Sequence, residues 1–184
     1  MIGGDSIEYE LLEKCCKLIK NENPFTCEIG VRLGKGSQTI LESLKNKDHW
    51  HIGVDPYGDL KYQHYDDSDS YTCDYTDVMR DKLLVDFARY QGKFHLANMK
   101  DTEFMATNGE KRFALVHFDG PHMTKDAMSE AIWFASRAAR NSRFIFDDYP
   151  KYNMQLISNA LKPFGFNVLE QGKNKICLEK TQSI

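Results

Sequence analysis

Seven short apolar runs, most of them followed by a helical stretch, constrain this chain more than any other feature of its sequence. The runs cover about residues 25–31, 51–55, 94–98, 113–118, 144–146, 166–170 and 175–179, with lengths and β-branched or aromatic content that suit buried strands. Between them, apolar residues recur at helical spacing. Ile7, Leu11, Cys15, Leu18 and Ile19 predict a helix over about residues 6–20, and the spacing of Asp5 and Glu8 is that of a capping box. Further helical patterns cover residues 37–44 and 79–88, a short stretch at 102–106, and a long one at 124–140 with Ala127, Ala131, Phe134, Ala135 and Ala138 on one face. Pro150 suits the first turn of a helix carrying Leu156, Ile157, Ala160 and Leu161, which Gly165 stops. The last two runs flank a Gly-Lys-Asn turn and read as a hairpin. Strands alternating with helices require parallel pairing through right-handed crossovers, so the expected fold is α/β. It is a doubly wound, seven-stranded, mostly parallel sheet with a C-terminal antiparallel hairpin.

At 184 residues, with 41% hydrophobic and 12% aromatic residues, the chain is expected to form one domain over 1–184. A chain of this size buries about 70% of its unfolded surface, enough for a core without disulfide staples. The net charge of −3 argues against a general nucleic-acid coat and leaves room for a local basic groove. No apolar run approaches a membrane span, and the opening MIGGDSIEYE lacks the basic start and apolar centre of a signal peptide, so a cytoplasmic location is expected. Cys15, Cys16, Cys27, Cys73 and Cys177 form an odd set with no C-x-x-C pair, and read as small buried hydrophobes in a reducing compartment. Residues 56–75, where tyrosines at 57, 62, 65, 71 and 75 stand among Asp66, Asp67, Asp69 and Asp74, read as a solvated loop with a substrate lid as the alternative.

Three constellations carry candidate chemistry. In Glu28-Ile-Gly30-Val-Arg-Leu-Gly34-Lys-Gly36-Ser37, glycines follow a strand and open a helix, so backbone can approach a ligand and free N–H groups face it. The segment has neither a Walker ending nor a full G-x-G-x-x-G, and an acid two residues before the first glycine would repel a pyrophosphate and attract an ammonium. A tight turn with no ligand is the competing reading. Asp55 ends the second run, where such folds place an acid on ribose hydroxyls, and together with the glycines it favours an adenosine-type ligand. Asp119, His122, Asp147 and Asp148 stand just past two strongly apolar runs, where open α/β sheets bind ligands. If those strands are neighbours, their carboxylates repel by about 4 kcal/mol per pair at 4 Å and an effective dielectric near 20. A hard divalent cation or a shared proton can offset that repulsion, and helix capping by Asp147 or Asp148 is the bland alternative.

The order Glu-x-Gly, strand-end Asp, Asp-Gly-Pro-His and Phe-Asp-Asp-Tyr resembles the class I S-adenosylmethionine-dependent methyltransferases, which have a Rossmann-like fold. Within them it is most similar to the metal-dependent O-methyltransferases of the macrocin, mycinamicin and novobiocin type, and it is close to the cephalosporin-hydroxylase-like proteins. The resemblance covers about residues 25–150, and Asn98-Met-Lys-Asp101-Thr102 is similar to the family's segment after the third strand. It implies cofactor contacts from Glu28, Gly30, Gly34, Ser37, Asp55, Asp101 and Asp119, and a divalent cation, Mg²⁺ foremost, on Asp119, Asp147 and Asp148. It also implies catalytic roles for His122 as base and for Asp119. Gly36 stands where the family often has serine, Asn141-Ser142 replaces a usual Gly-Gly, and the long N-terminal extension of many relatives has no counterpart before residue 25.

The resemblance and the site residues together predict an S-adenosylmethionine-dependent O-methyltransferase acting on a sugar or other small polar hydroxyl compound, with no membrane or nucleic-acid partner and a homo-oligomeric state left open. The rivals are a metal-independent methyltransferase on another acceptor, and a non-catalytic or oxidoreductase nucleoside-binding module built on the same fold.

Overall fold

In the computed structural model, which describes residues 2–4, 6–20, 23–58, 60–72 and 75–181, each of the seven apolar runs forms a strand. They are Phe25–Ile29 (β1), Trp50–Val54 (β2), Phe94–Ala97 (β5), Phe113–Phe118 (β6), Ala138–Phe146 (β7), Phe166–Gln171 (β8) and Ile176–Lys180 (β9). Two short strands, Lys61–Gln63 (β3) and Ser70–Thr72 (β4), form a separate hairpin. The seven lie in one sheet in the order β5-β2-β1-β6-β7-β9-β8, parallel as far as β7 and antiparallel through β9 and β8. This is the expected doubly wound sheet. The order reverses between β1 and β6, which opens a crevice at their carboxyl ends.

Helices cover both faces. Tyr9–Lys17 (α1) and Lys35–Ser43 (α2) bury Leu12, Cys15, Cys16 and Ile40 against Leu115, Ile145 and Cys177 of the sheet. Thr124–Ala135 (α5) and Met154–Leu161 (α6) bury Ala131, Phe134, Ile157 and Leu161 on the other face, against Val116, Phe118, Phe144 and Phe146. Asp77–Asp86 (α3) packs Leu83 with Val31, Leu41 and Phe87, and Asp101–Thr107 (α4) contributes Phe104 to the main core. Each fully buried leucine or phenylalanine stabilises the fold by about 1.5–3 kcal/mol. The pair Phe118 and Phe146 matters most for the site. They are register partners, their rings stack at 4.5 Å and 10°, and the next residue on each strand is an aspartate.

Four local expectations differ from the structure. The first helix begins at Tyr9, and Glu8, its left-handed N-cap residue (φ 60°), makes no side-chain cap bond. The Glu8 carboxylate instead accepts the N–H groups of Lys173, Asn174 and Lys175 at 2.8, 2.7 and 2.9 Å, tying the β8–β9 turn to the start of α1. Asp5, its expected capping partner, lies outside the described residues, as do Cys73 and Asp74. The helix expected over 124–140 stops at Ala135, and Ala138 pairs with Phe113 as the first residue of β7, because ladder hydrogen bonds outweigh alanine's helical preference. Pro150 sits in a separate 3₁₀ turn, Tyr149–Lys151, and α6 is capped by the Asn153 side chain accepting from Leu156 N. Residues 61–72, expected as loop, form the β3–β4 hairpin over the sheet edge.

Cys15, Cys16, Cys27 and Cys177 are buried free thiols. Among the described residues no helix is long and apolar enough to cross a membrane.

Candidate active site

The carboxyl edge of the sheet opens into a cleft of about 550 Å³ lined by Gly30, Gly34, Asp55, Asp101, Asp119, His122, Asp147 and Asp148. Two other expected cofactor residues, Glu28 and Ser37, are 1% and 0% exposed and sit behind its wall. The glycine loop explains the separation. Gly30 has φ +83°, and a Cβ there would run into the backbone of Asp119, so only glycine lets the loop lie against the end of β6. At Gly36 a Cβ would strike the Glu28 carboxylate, which rationalises glycine where relatives often carry serine.

Asp55 clamps this loop. Its Oδ2 accepts from Val31 N and Arg32 N, both at 2.9 Å, and its Oδ1 accepts from Tyr57 N at 3.0 Å. Burial pushes its pKa up, against the opposing pull of those three N–H groups. A carboxylate has roughly four acceptor positions, so one remains for a ligand hydroxyl after three are filled.

Parallel pairing of β6 and β7 brings Asp119 and Asp147 together, with Asp119 N donating to Ile29 O at 2.8 Å and Asp147 N to Phe118 O at 2.9 Å. Burial, and then repulsion from Asp147, drives the Asp119 carboxyl well above the usual range. Burial pushes Asp147 up too, yet the Lys175 ammonium overrides it and holds this carboxyl well below the usual range. Lys175 is 0% exposed, and its Nζ lies 2.7 Å from Asp147 Oδ1, which also accepts from Asn174 Nδ2 at 2.8 Å. Asp148, left-handed at φ 48°, turns the other way, and its Oδ2 accepts from Tyr65 Oη at 3.0 Å.

His122 sits between these groups. Its Nε2 is 3.9 Å from Asp119 Oδ1 and 3.9 Å from Asp148 Oδ2, while Nδ1 is hydrogen-bonded to the Tyr152 hydroxyl. That contact accommodates the tautomer protonated at Nδ1, in which the Nε2 lone pair faces the two carboxylates. Burial, followed by the neighbouring His64, lowers the His122 pKa to about 4, so the ring is neutral at physiological pH.

The β3–β4 hairpin closes this corner. His64 O accepts from His122 N at 2.7 Å, the Tyr65 ring stacks on His122 at 5.6 Å and 14°, and Asp66 caps α5 by accepting Thr124 N at 3.0 Å. The segment is therefore a hairpin tied to the site, its described side chains exposed or half-buried as expected of a solvated segment, and its position over His122 makes it the lid of this corner.

Behind the cleft runs a buried polar chain that sequence reasoning missed. His51 joins Thr26 Oγ1 and Ser37 Oγ, each at 2.9 Å, and Ser37 donates to Glu28. Glu28 Oε1 is 2.8 Å from His117 Nδ1, and Lys175 Nζ reaches His117 Nε2 at 3.5 Å. One signal for Lys175 was available. In a strand, residues 175, 177 and 179 face one side, so a buried Cys177 implies an inward lysine in need of an acid.

A family model described as a methyltransferase domain matches residues 27–149. No curated protein sequence matches the chain. Among solved structures, the O-methyltransferase NovP is similar at 12% identity, with 95% of this chain and 79% of that chain covered and a TM-score of 0.66. TomG from Streptomyces achromogenes, an O-methyltransferase involved in tomaymycin synthesis and solved with S-adenosylmethionine, is similar at 12% identity, 98% and 82% coverage and a TM-score of 0.62. An rRNA methylase from Streptococcus thermophilus is similar at 8% identity, 98% and 100% coverage and a TM-score of 0.60. Likeness at these identities is a likeness of fold.

The buried ion pair makes a direct prediction. Lys175→Met leaves the Asp147 charge uncompensated and should cost about 3–5 kcal/mol in urea unfolding. Adding Asp147→Asn should recover a large part of that loss. Equal stability of Lys175→Met and the parent would show that the pair carries no such weight.

Proposed function

The chain belongs to the methyltransferase-domain family, and from that premise we propose that it transfers a methyl group from S-adenosylmethionine to a hydroxyl oxygen of a sugar or other small polar molecule. The observation that carries this reading is the convergence, on one cleft, of a glycine loop clamped by Asp55 with a neutral histidine whose Nε2 faces two carboxylates. In this reading the remaining acceptor position of Asp55 holds the ribose hydroxyls, and Gly30, Gly34 and Asp101 line the cofactor. Glu28 and Ser37 act from behind the wall, fixing the start of α2 and favouring the methionine ammonium through the field of the carboxylate. That acid also counts against a dinucleotide, whose pyrophosphate it would repel.

A divalent cation at the acidic end of the cleft is the second part of the proposal, and the contact between Asp119 and Asp147 supports it. Asp119 and Asp147 touch, and such a pair requires a proton or a cation between them. Asp147 is held through Oδ1 by Lys175 and Asn174, the kind of support that orients a ligand carboxylate and leaves Oδ2 available. Asp119 and Asp147 would hold the ion, Asp148 would join them by rotating its carboxylate away from Tyr65, and oxygen donors favour Mg²⁺. When bound, it would polarise the acceptor hydroxyl and lower its pKa. His122 Nε2 takes the hydroxyl proton. The oxygen then forms a bond to the methyl carbon as the carbon–sulfur bond breaks and its electron pair stays on sulfur. The products are S-adenosylhomocysteine, a methyl ether and a proton on His122. The protein's main contribution is in-line positioning, which the pinned lid and the loop clamp supply.

Three measurements test this. By calorimetry, S-adenosylhomocysteine should bind more tightly than NAD, and Asp55→Ala should weaken it by roughly 1.5–3 kcal/mol, or more because three loop N–H groups lose their acceptor. Tighter binding of NAD would overturn the reading. Mg²⁺ should raise the melting temperature and a chelator reverse the rise. If neither acts, Lys175 is the cation that the acidic pair uses and the metal-independent alternative stands. His122→Ala should lower turnover about 10²–10⁴-fold with little change in cofactor affinity, and near-normal turnover would move the base elsewhere, to Asp119 first.

A further inference from the structure

A second set of donors meets at the lid. His64, His122 and Asp148 each present a ligand atom within 4.8 Å of the other two. They come from three separate stretches of chain: the lid between β3 and β4, the loop after β6, and the residue pair after β7. The geometry among them is tied down. His122 N donates to His64 O at 2.7 Å, the two imidazoles meet edge to face at 4.7 Å and 87°, and Asp148 accepts from the lid's Tyr65. The Tyr152 hydroxyl engages His122 Nδ1 and leaves Nε2 directed at Asp148 and Asp119. An outer partner on one ring nitrogen is what orients a metal-ligating histidine.

We infer that His64, His122 and Asp148 form a binding site for a borderline divalent cation of the Zn²⁺ type, with Asp119 within reach as a fourth ligand. Donor chemistry separates it from the all-carboxylate cation site proposed above. Two imidazoles with one carboxylate suit Zn²⁺, Co²⁺ or Ni²⁺, whereas Mg²⁺ prefers oxygen alone. Donors sharing one tetrahedral ion at about 2.0–2.2 Å stand roughly 3.4 Å apart, so a small closure of these side chains completes the shell. The two sites share Asp148 and, through the fourth ligand, Asp119, so they compete. An ion bound here occupies the Nε2 lone pair and shuts off proton removal from the acceptor. That consequence rests on the base assignment above, whereas the binding does not.

Calorimetric titration of ZnCl₂ into the full chain, without cofactor, tests the site. About one Zn²⁺ should bind per chain, and His64→Ala and His64→Phe should each weaken it at least tenfold. The phenylalanine keeps a ring against His122 and Tyr65 but offers no lone pair, and both variants keep the carbonyl that holds His122 N. Circular dichroism of the metal-free variants checks that they fold. No Zn²⁺ uptake by the parent, or equal affinity in a folded His64→Phe, overturns the inference. The outcome is separable from that of the methyltransferase reading. Zn²⁺ binding lost with His64 in a protein that ignores S-adenosylhomocysteine leaves this site standing and the proposed function fallen, and the reverse pattern does the opposite.

Discussion

The register pair Phe118 and Phe146 places Asp119 and Asp147 side by side at the edge of the sheet, where little distance separates their charges. Parallel pairing permits no other placement once both strands end on an aspartate. The sheet must then supply a compensating cation, and it does so from the far end of the chain. Lys175, the residue just before β9, enters beneath the pair fully buried and lies 2.7 Å from Asp147. Because β9 is antiparallel to β7, its beginning lies next to the end of β7, so the hairpin turn reaches the acidic edge. Glu8 anchors that turn through three backbone N–H groups, including that of Lys175 itself. The antiparallel hairpin therefore completes the electrostatics of the cleft as well as widening the sheet.

Lys175 also links the acidic edge to the glycine loop. From Lys175 the buried chain passes through His117 to Glu28 and Ser37, and so to the start of α2. Polar groups this deep are tolerated because each finds a partner, and an unpartnered one would cost about 1–3 kcal/mol. Satisfied networks of this kind fix a unique core arrangement. Here the arrangement that is fixed is the glycine loop, with Gly36 leaving room for Glu28 and Gly30 lying on the backbone of Asp119.

The lid completes the site by the same economy of contacts. Asp66 caps α5 through Thr124, whose hydroxyl oxygen in turn accepts from Asn153 at the start of α6. Tyr65 covers His122, and His64 holds its backbone. These bonds cross from a surface hairpin to elements far along the chain, and they place an aromatic and imidazole wall opposite the carboxylates.

Local pattern in the sequence was enough to place the strands of the main sheet, apart from the first part of β7, together with their order of succession, the glycine turn and the acids at strand ends, because hydrophobic period and turn chemistry are properties of neighbouring residues. It identified Asp55, Asp119, His122, Asp147 and Asp148 as cleft residues, since a strand end in such a sheet is also a position in space. Tertiary structure alone decided what each group faces. Glu8 reads as a helix cap and serves a distant turn; Ala138 reads as helix and pairs as strand; Lys175 reads as the polar start of a hairpin and is the buried counterion of the site. Residues 61–72 read as loop and form a hairpin held against His122 and Thr124. In every one of these cases the deciding partner lies well outside the residue's own sequence neighbourhood. A charge or hydrogen-bond donor is satisfied by whatever the fold brings within about 3 Å, and separation along the chain does not encode that distance.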